Sequence, residues 1–210
     1  MVAAEVSLPP GYRPADRLAL SPDGRTVIVR ATIRDTVRLV RRRVDQFEAE
    51  PIAGTDGATL AFDISPDGRW LAFATGQDLL KVAMDGSSPP VLIGKAPIWI
   101  SDLTWPDNAT VFINDIGGGL WSVDPTGGRF VSVTVPDSAR GETRHVHPLV
   151  RADGSLLFAV ETLNGDRVAV TTPDRRTWTY LPAEFSGIPM AYLPSGHLVL
   201  SAGSRMAAVK

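Results

Sequence analysis

Residues 64–73 read ISPDGRWLAF, which sets the tetrapeptide Ser65-Pro66-Asp67-Gly68 between two short apolar runs. Proline fixes φ at the first corner of a tight turn, aspartate bonds its own backbone there, and glycine accepts φ > 0. The tetrapeptide predicts a hairpin. The same four residues stand at Ser21-Pro22-Asp23-Gly24. Weaker relatives are Trp105-Pro106-Asp107-Asn108, Arg151-Ala152-Asp153-Gly154 and Leu193-Pro194-Ser195-Gly196. First residues fall at 21, 65, 105, 151 and 193, giving spacings of 44, 40, 46 and 42 residues. A hairpin reused by chance has no reason to keep that register, and a fixed period of this size marks a repeat architecture.

Each repeat has the same inner order. A short apolar segment precedes the turn: RLAL, LAFDI, ISDLT, HVHPLV and IPMAYL. A strand with β-branched or aromatic residues follows it: TVIVRA, RWLAFA, TVFIND, SLLFAV and HLVLSA. A polar or glycine-rich break leads to a third strand: TVRLVRR, DLLKVAM, GLWSVDP, DRVAVTT and RMAAVK. The first four repeats add a fourth: AEPIAG, PPVLIG, RFVSVTV and TWTYLP. Four short antiparallel strands in about 43 residues is the pattern of a propeller blade. The expectation is one all-β domain over 1–210, a β-propeller of about five four-stranded blades with the last incomplete. Its repeats run near 17–54, 60–94, 99–135, 145–182 and 188–210. No window sustains a helical i, i+3, i+4, i+7 pattern, and 17 prolines with 19 glycines interrupt the chain too densely for helices.

Composition narrows the partners. With 44% hydrophobic and 21% charged residues, the chain has an ordinary globular make-up and can bury a core. A formal net charge of −2 and a pI of about 5.9 give no electrostatic footprint for nucleic acid or an anionic membrane. The one basic run, RLVRRR from Arg38 to Arg43, interleaves with apolar residues and reads as a solvated strand face. The absence of cysteine excludes disulfides and thiolate chemistry. No apolar run approaches the roughly 20 residues that span a bilayer. The opening residues MVAAEVSLPPGYRPAD lack the charged start and long apolar core of a signal peptide. The expectation is a soluble monomer with no membrane segment, with exposed blade edges as the route to any association.

Several stretches in order carry a family resemblance: LALSPDGRTVIV, DQFEAEPIAGTDGA, FDISPDGRWLAFATGQDLLKVAMDG, GLWSVDPTGG, PDSARGETRHVHPLVRADGSLLFAV and YLPSGHLVLSAGSRMAAV. The chain resembles the TolB-like propellers that follow the catalytic domain in many bacterial receptor-type serine/threonine protein kinases. The resemblance implies a sensory or scaffolding module that binds a protein or small molecule. It also implies an extracytoplasmic place on a membrane-anchored protein. The kinase is not in this sequence: it has no Gly-rich loop before a strand lysine, no HRD-type loop and no DFG-type triplet. Propellers of the family usually continue beyond RMAAVK, so a partial or truncated propeller is expected. The opening AEVSLP, with Val6 and Leu8, is expected to pair beside RMAAVK and hide an edge.

Candidate chemistry is sparse. His145 and His147 form an H-x-H pair that a regular strand would place on one face. They would begin a zinc site only with a third ligand, for which Glu142 and His197 are the suggestive candidates. The resemblance implies a competing role for His145, at the start of an inner strand, bonding backbone and packing adjacent blades. Asp63 and Asp102 lie in inner strands of neighbouring repeats, where carboxylates can face a central channel and form a glycosidase-like pair. A propeller hydrolase is therefore the alternative to a non-catalytic binding module. Trp70, Trp105, Trp121 and Trp178 read as packing between blades. Trp99, in APIWISD ahead of an inner strand, reads as a binding anchor. The glycines at 117–119 read as a hairpin tip, because strands and no helix flank them. The residues expected at the channel mouth are Asp63, Trp99, Asp102, His145 and His147, with no catalytic residue, metal or cofactor assigned.

Overall fold

The computed structural model describes residues 8–46, 48–115, 118–193, 195–202 and 205–210, with backbone alone at 15, 16 and 202. Among them, nineteen strands form five antiparallel sheets, each running in chain order from the central axis outward. The first blade holds β1 (Arg13–Leu20), β2 (Thr26–Ile33), β3 (Thr36–Arg43) and β4 (Glu50–Pro51). The second holds β5 (Phe62–Ile64), β6 (Trp70–Thr75), β7 (Asp78–Ala83) and β8 (Val91–Lys95). The third holds β9 (Asp102–Asp107), β10 (Thr110–Asn114), β11 (Leu120–Val123) and β12 (Val131–Ser132). The fourth holds β13 (Glu142–Val150), β14 (Leu156–Thr162), β15 (Arg167–Thr171) and β16 (Trp178–Tyr180). The fifth has three strands, β17 (Ile188–Tyr192), β18 (Leu198–Ala202) and β19 (Arg205–Val209). Inner strands touch in the order β1, β5, β9, β13, β17, so the protein is a five-bladed β-propeller.

The repeated turn joins the first two strands of a blade. Ser21 Oγ donates to Asp23 Oδ1 at 2.6 Å, the same carboxylate oxygen accepts from the Arg25 N–H, and Ser21 Oγ accepts from the Thr26 N–H. Ser65, Asp67, Arg69 and Trp70 repeat this arrangement bond for bond. Gly24, Gly68 and Gly154 all take left-handed φ, at +69°, +70° and +85°. The third blade departs from the pattern: β9 runs on through Asp107, and Asn108-Ala109 turn the chain without a glycine.

Because side chains alternate across a strand, each blade gives one face to its predecessor and the other to its successor. On β6, Leu71 and Phe73 pack toward Ile28 and Leu39 of the first blade. Ala72 and Ala74, on the opposite face, leave room for Leu103, Trp105 and Ile113 of the third. Phe112 and Leu120 meet Leu156 and Phe158 in the next seam, and Leu157 and Val168 meet Leu198 and Leu200 in the last. Trp70, Trp105, Trp121 and Trp178 all pack in these clusters.

The two end blades present bare faces. Ala19 packs into the first seam, so Leu18 and Leu20 point the other way and are 67% and 56% exposed. In the fifth blade Met190, Tyr192 and Met206 are exposed. Leu8 does not pair with β19; it packs on Ala31, Val40 and Ala49 of the first blade. Among the described residues β19 pairs with β18 alone. Val6, Gly117 and Pro194 lie outside the described residues. No helix of the described residues is long and apolar enough to cross a membrane.

Candidate functional site

The inner strands bring four polar side chains to the channel, one from each of the first four blades. Arg17 of β1 reaches past the second blade and pairs with Asp102 Oδ1 of β9. Its guanidinium lies 5.5 Å from the centroid of the Phe62 ring. Asp102 Oδ1 also accepts from the Leu103 N–H at 2.9 Å, and Asp102 Oδ2 lies 3.5 Å from His147 Nδ1 of β13. Arg17 was not among the expected residues. Its place is nevertheless legible, since Arg17 and His147 both stand four residues before the first residue of their turns.

Asp63 of β5 does a different job. Its Oδ2 accepts from the Trp105 N–H at 2.8 Å and its Oδ1 from the Ile64 N–H at 2.9 Å, so one carboxylate ties the second blade to the third. Burial pushes the Asp63 carboxyl up, against the pull of those two N–H donors and of Arg17; the nearby Asp102 charge adds to the rise.

The H-x-H pair is split. The register of β13 against β14 shifts between Val146 and Leu149, and His147 takes φ +53°, so the strand bulges and the rings part. His147 faces the channel with its side chain 44% exposed. His145 is fully buried between the third and fourth blades, not at the channel mouth. Thr134 Oγ1 accepts from the Leu120 N–H at 3.0 Å, which leaves its proton for His145 Nδ1 at 2.8 Å. Nε2 faces Glu142 Oε2 at 3.2 Å, and a carboxylate oxygen only accepts, so the His145 proton sits on Nε2 and Nδ1 accepts from Thr134. Glu142 Oε2 further accepts from the Asp137 N–H at 2.6 Å, and Glu142 Oε1 accepts from the Tyr180 hydroxyl. The rings of Phe158 and Trp178 close around the imidazole at 5.1 and 5.2 Å. Burial lowers the His145 pKa, opposed by Glu142. Burial and the Glu142 bond push the Tyr180 phenol up to about 12. His197 bonds Ser195 Oγ at 2.9 Å within the turn of the fifth blade. Among the described residues, no three histidine, aspartate or glutamate side chains converge as metal ligands.

Trp99 is also displaced from the channel mouth, and the path of its connection is the reason. Leaving β8, the chain crosses the upper face (the one bearing the β2–β3 and β6–β7 hairpins) before it enters β9. The indole comes to rest on Gly76 in the β6–β7 hairpin, away from the axis. Gly76 has φ +72°, and a Cβ there would lie 3.2 Å from the ring, so this position favours glycine. Trp99 is 60% exposed. Two clefts flank it. One of about 500 Å³ extends over Thr59, Leu60 and Ser101 to Asp35 and Thr36 of the first blade. The other, about 370 Å³, is bordered by Thr75, Gln77, Asp78 and Lys95.

The lower face carries a larger cleft, about 940 Å³, between the turns of the first two blades. Three of its cations are paired, Arg69 with Asp67 at 2.8 Å, and Arg41 with Glu50 and Arg43 with Asp45 at 3.1 Å, while Asp23 and Asp85 accept from Ser21 Oγ and the Ser87 N–H within their own turns. The Ser65 hydroxyl and the Arg69 N–H hold the Asp67 carboxyl down at about 2.

No family model matches the chain, and no curated protein matches it in sequence. Solved structures do share its fold. TolB from Acinetobacter baumannii superposes with a TM-score of 0.62 at 14% identity, over 84% of this chain and 44% of that one. The Cps50 (Swd1) β-propeller domain of Myceliophteria thermophila gives 0.63 at 15% identity, over 94% of this chain and 67% of that domain. Prolyl oligopeptidase B from Galerina marginata gives 0.57 at 13% identity, over 88% of this chain and 30% of that one. The chain thus spans less than half the length of the TolB it resembles, and the likeness is one of fold.

Proposed function

We propose that this propeller is a non-catalytic binding module whose ligand face is the upper face around Trp99. One observation carries the reading: a large exposed indole, propped on a glycine by its own backbone path, stands between two clefts. Aromatic anchors of this kind dominate binding energy because they bury much area at little cost in side-chain freedom. The hydrolase alternative needs two available carboxylates. Asp63 has both oxygens committed to backbone N–H groups, so it does not supply the second of the pair; Asp102 gives Oδ1 to Arg17 and the Leu103 N–H and turns Oδ2 toward His147. The finer reading, a sensory or scaffolding propeller of a bacterial serine/threonine kinase receptor, rests on the sequence resemblance. DNA sequence on both sides of the coding segment tests it, since a kinase frame upstream is expected.

Chemical-shift mapping with a mixed library of peptides and small molecules tests the module itself. Ligands are expected to cluster on Trp99, Leu60 and Gln77, and Trp99→Ala should abolish their binding. Glycoside turnover that is lost in Asp102→Asn would replace this reading with the hydrolase.

A further inference from the structure

We infer that the two clefts beside Trp99 form one trough for a neutral oligosaccharide, with a sugar ring seated on the indole. This rests on the reading that the Trp99 face is the ligand face, and it adds the chemical class of the ligand.

The lining argues for it. Thr36, Thr75 and Gln77 have no side-chain partner among the described residues, although each borders a cleft. Thr59 Oγ1 accepts from the Ala61 N–H and keeps its own proton to give. Ser101 gives its proton to the Asn114 carbonyl and keeps lone pairs to accept. Hydroxyl and amide groups that both donate and accept are the complement of sugar hydroxyls, which do the same. Such pairing satisfies the neutral polar groups that the ligand would cover. A pyranose ring also carries an apolar C–H face, and an indole with most of its surface open offers the matching apolar body.

Charge and shape narrow the class further. Arg30 and Asp35 border one cleft, and Asp78 and Lys95 the other, so each cleft offers both signs and the trough has no field that selects an ionic ligand. A peptide that binds by strand addition needs an open strand edge. The trough is built from hairpin ends and connections instead. The clefts lie on both sides of one ring, and each has the volume of a small-ligand pocket, which fits a chain of sugars better than a single one.

The test uses ¹⁵N-labelled protein, in which each tryptophan gives one indole N–H signal. Cellopentaose, maltopentaose and chitopentaose are titrated in turn, up to about 10 mM, which reaches millimolar affinities. The expected result is a saturable shift of the Trp99 indole with at least one pentasaccharide, while Trp70, Trp105, Trp121 and Trp178 stay put. Trp99→Ala should abolish it. The double variant Thr36→Ala/Gln77→Ala should weaken it about fivefold or more while leaving the melting temperature unchanged. Trp99→Phe, which keeps an aromatic ring on Gly76, should retain measurable binding and so separates recognition from folding. If peptides of the mixed library move Trp99 and none of the three saccharides does, the saccharide assignment is overturned and the binding module stands. If ligands bind elsewhere and Trp99 never moves, both fall.

Discussion

The seam between the second and third blades and the seam between the third and fourth use the same strand positions and are held by different chemistry. In the first, Leu79, Leu103, Val111 and Ile113 fill the wedge with apolar volume. Its polar ties are peripheral: Asp63 takes the Trp105 N–H at the channel end, and Lys81 Nζ donates to the Pro125 carbonyl at 2.7 Å. In the second, Phe112, Phe158 and Val160 supply the volume, but a buried network of Thr134, His145, Glu142 and Tyr180 runs through it. The body of a blade wedge can therefore be filled by apolar volume or threaded by a satisfied polar network. The two answers fail differently: shape fails when volume is removed, and a network fails when one partner is removed or changes protonation.

The largest effect is expected from volume. Leu79→Ala should cost about 2–5 kcal/mol, the usual range for a fully buried leucine, with an unchanged urea m-value. A loss well under 1 kcal/mol would show that the apolar seam collapses around the cavity and is not held by shape. Next comes Tyr180→Phe, which removes one hydrogen bond to Glu142 and should cost about 1.5 kcal/mol in the same melts. A neutral outcome would mean that the network contributes no net stability and the two seams are equivalent.

Acidity separates the seams by sign. His145 has a folded pKa below its ordinary value of 6.5, so as pH falls the unfolded chain takes up the proton first. Its contribution is complete above about pH 6.5 and declines as pH drops toward the lowered folded value. Asp63 has a folded pKa raised above 3.8, so between 3.8 and that raised value falling pH stabilises the fold. Unfolding measured from pH 7 down to 4 should show a flatter decline in His145→Gln than in the native protein. The decline should be steeper in Asp63→Asn, which loses the offset. Parallel profiles for both variants would remove the distinction. The smallest effect belongs to the channel. Arg17→Met should cost only about 0.5–1 kcal/mol, because the ion pair with Asp102 is partly exposed, and the cost should shrink in high salt.

Most of the fold is legible in the sequence because a turn motif recurs at a near-constant spacing, and where it is written Ser-Pro-Asp-Gly its bonding is local. Ser65, Asp67 and Gly68 need nothing beyond their own six residues to form the hairpin. What failed depended on partners the local pattern does not contain. The H-x-H argument assumes a period of two, and a bulge that breaks the period at His147 leaves no mark in composition. Trp99 was recognised as an exposed aromatic on the connection into β9, but its resting place was set by Gly76, a residue 23 positions earlier in another hairpin. Asp63 and Asp102 were placed correctly on inner strands, and the sequence could not tell which would tie blades and which would meet an arginine.

The bond from Arg17 to Asp102 also has a cost in time. The two residues are 85 positions apart, and a ribosome adds residues at about 5–20 per second, so the arginine is made roughly 4–17 s before its partner. For that interval the first two blades can already dock through Phe62 and Phe73, while the guanidinium rests near an aromatic ring with its acid still unmade. The bore of the propeller is thus gauged only when the third blade arrives and gives the waiting charge something to hold.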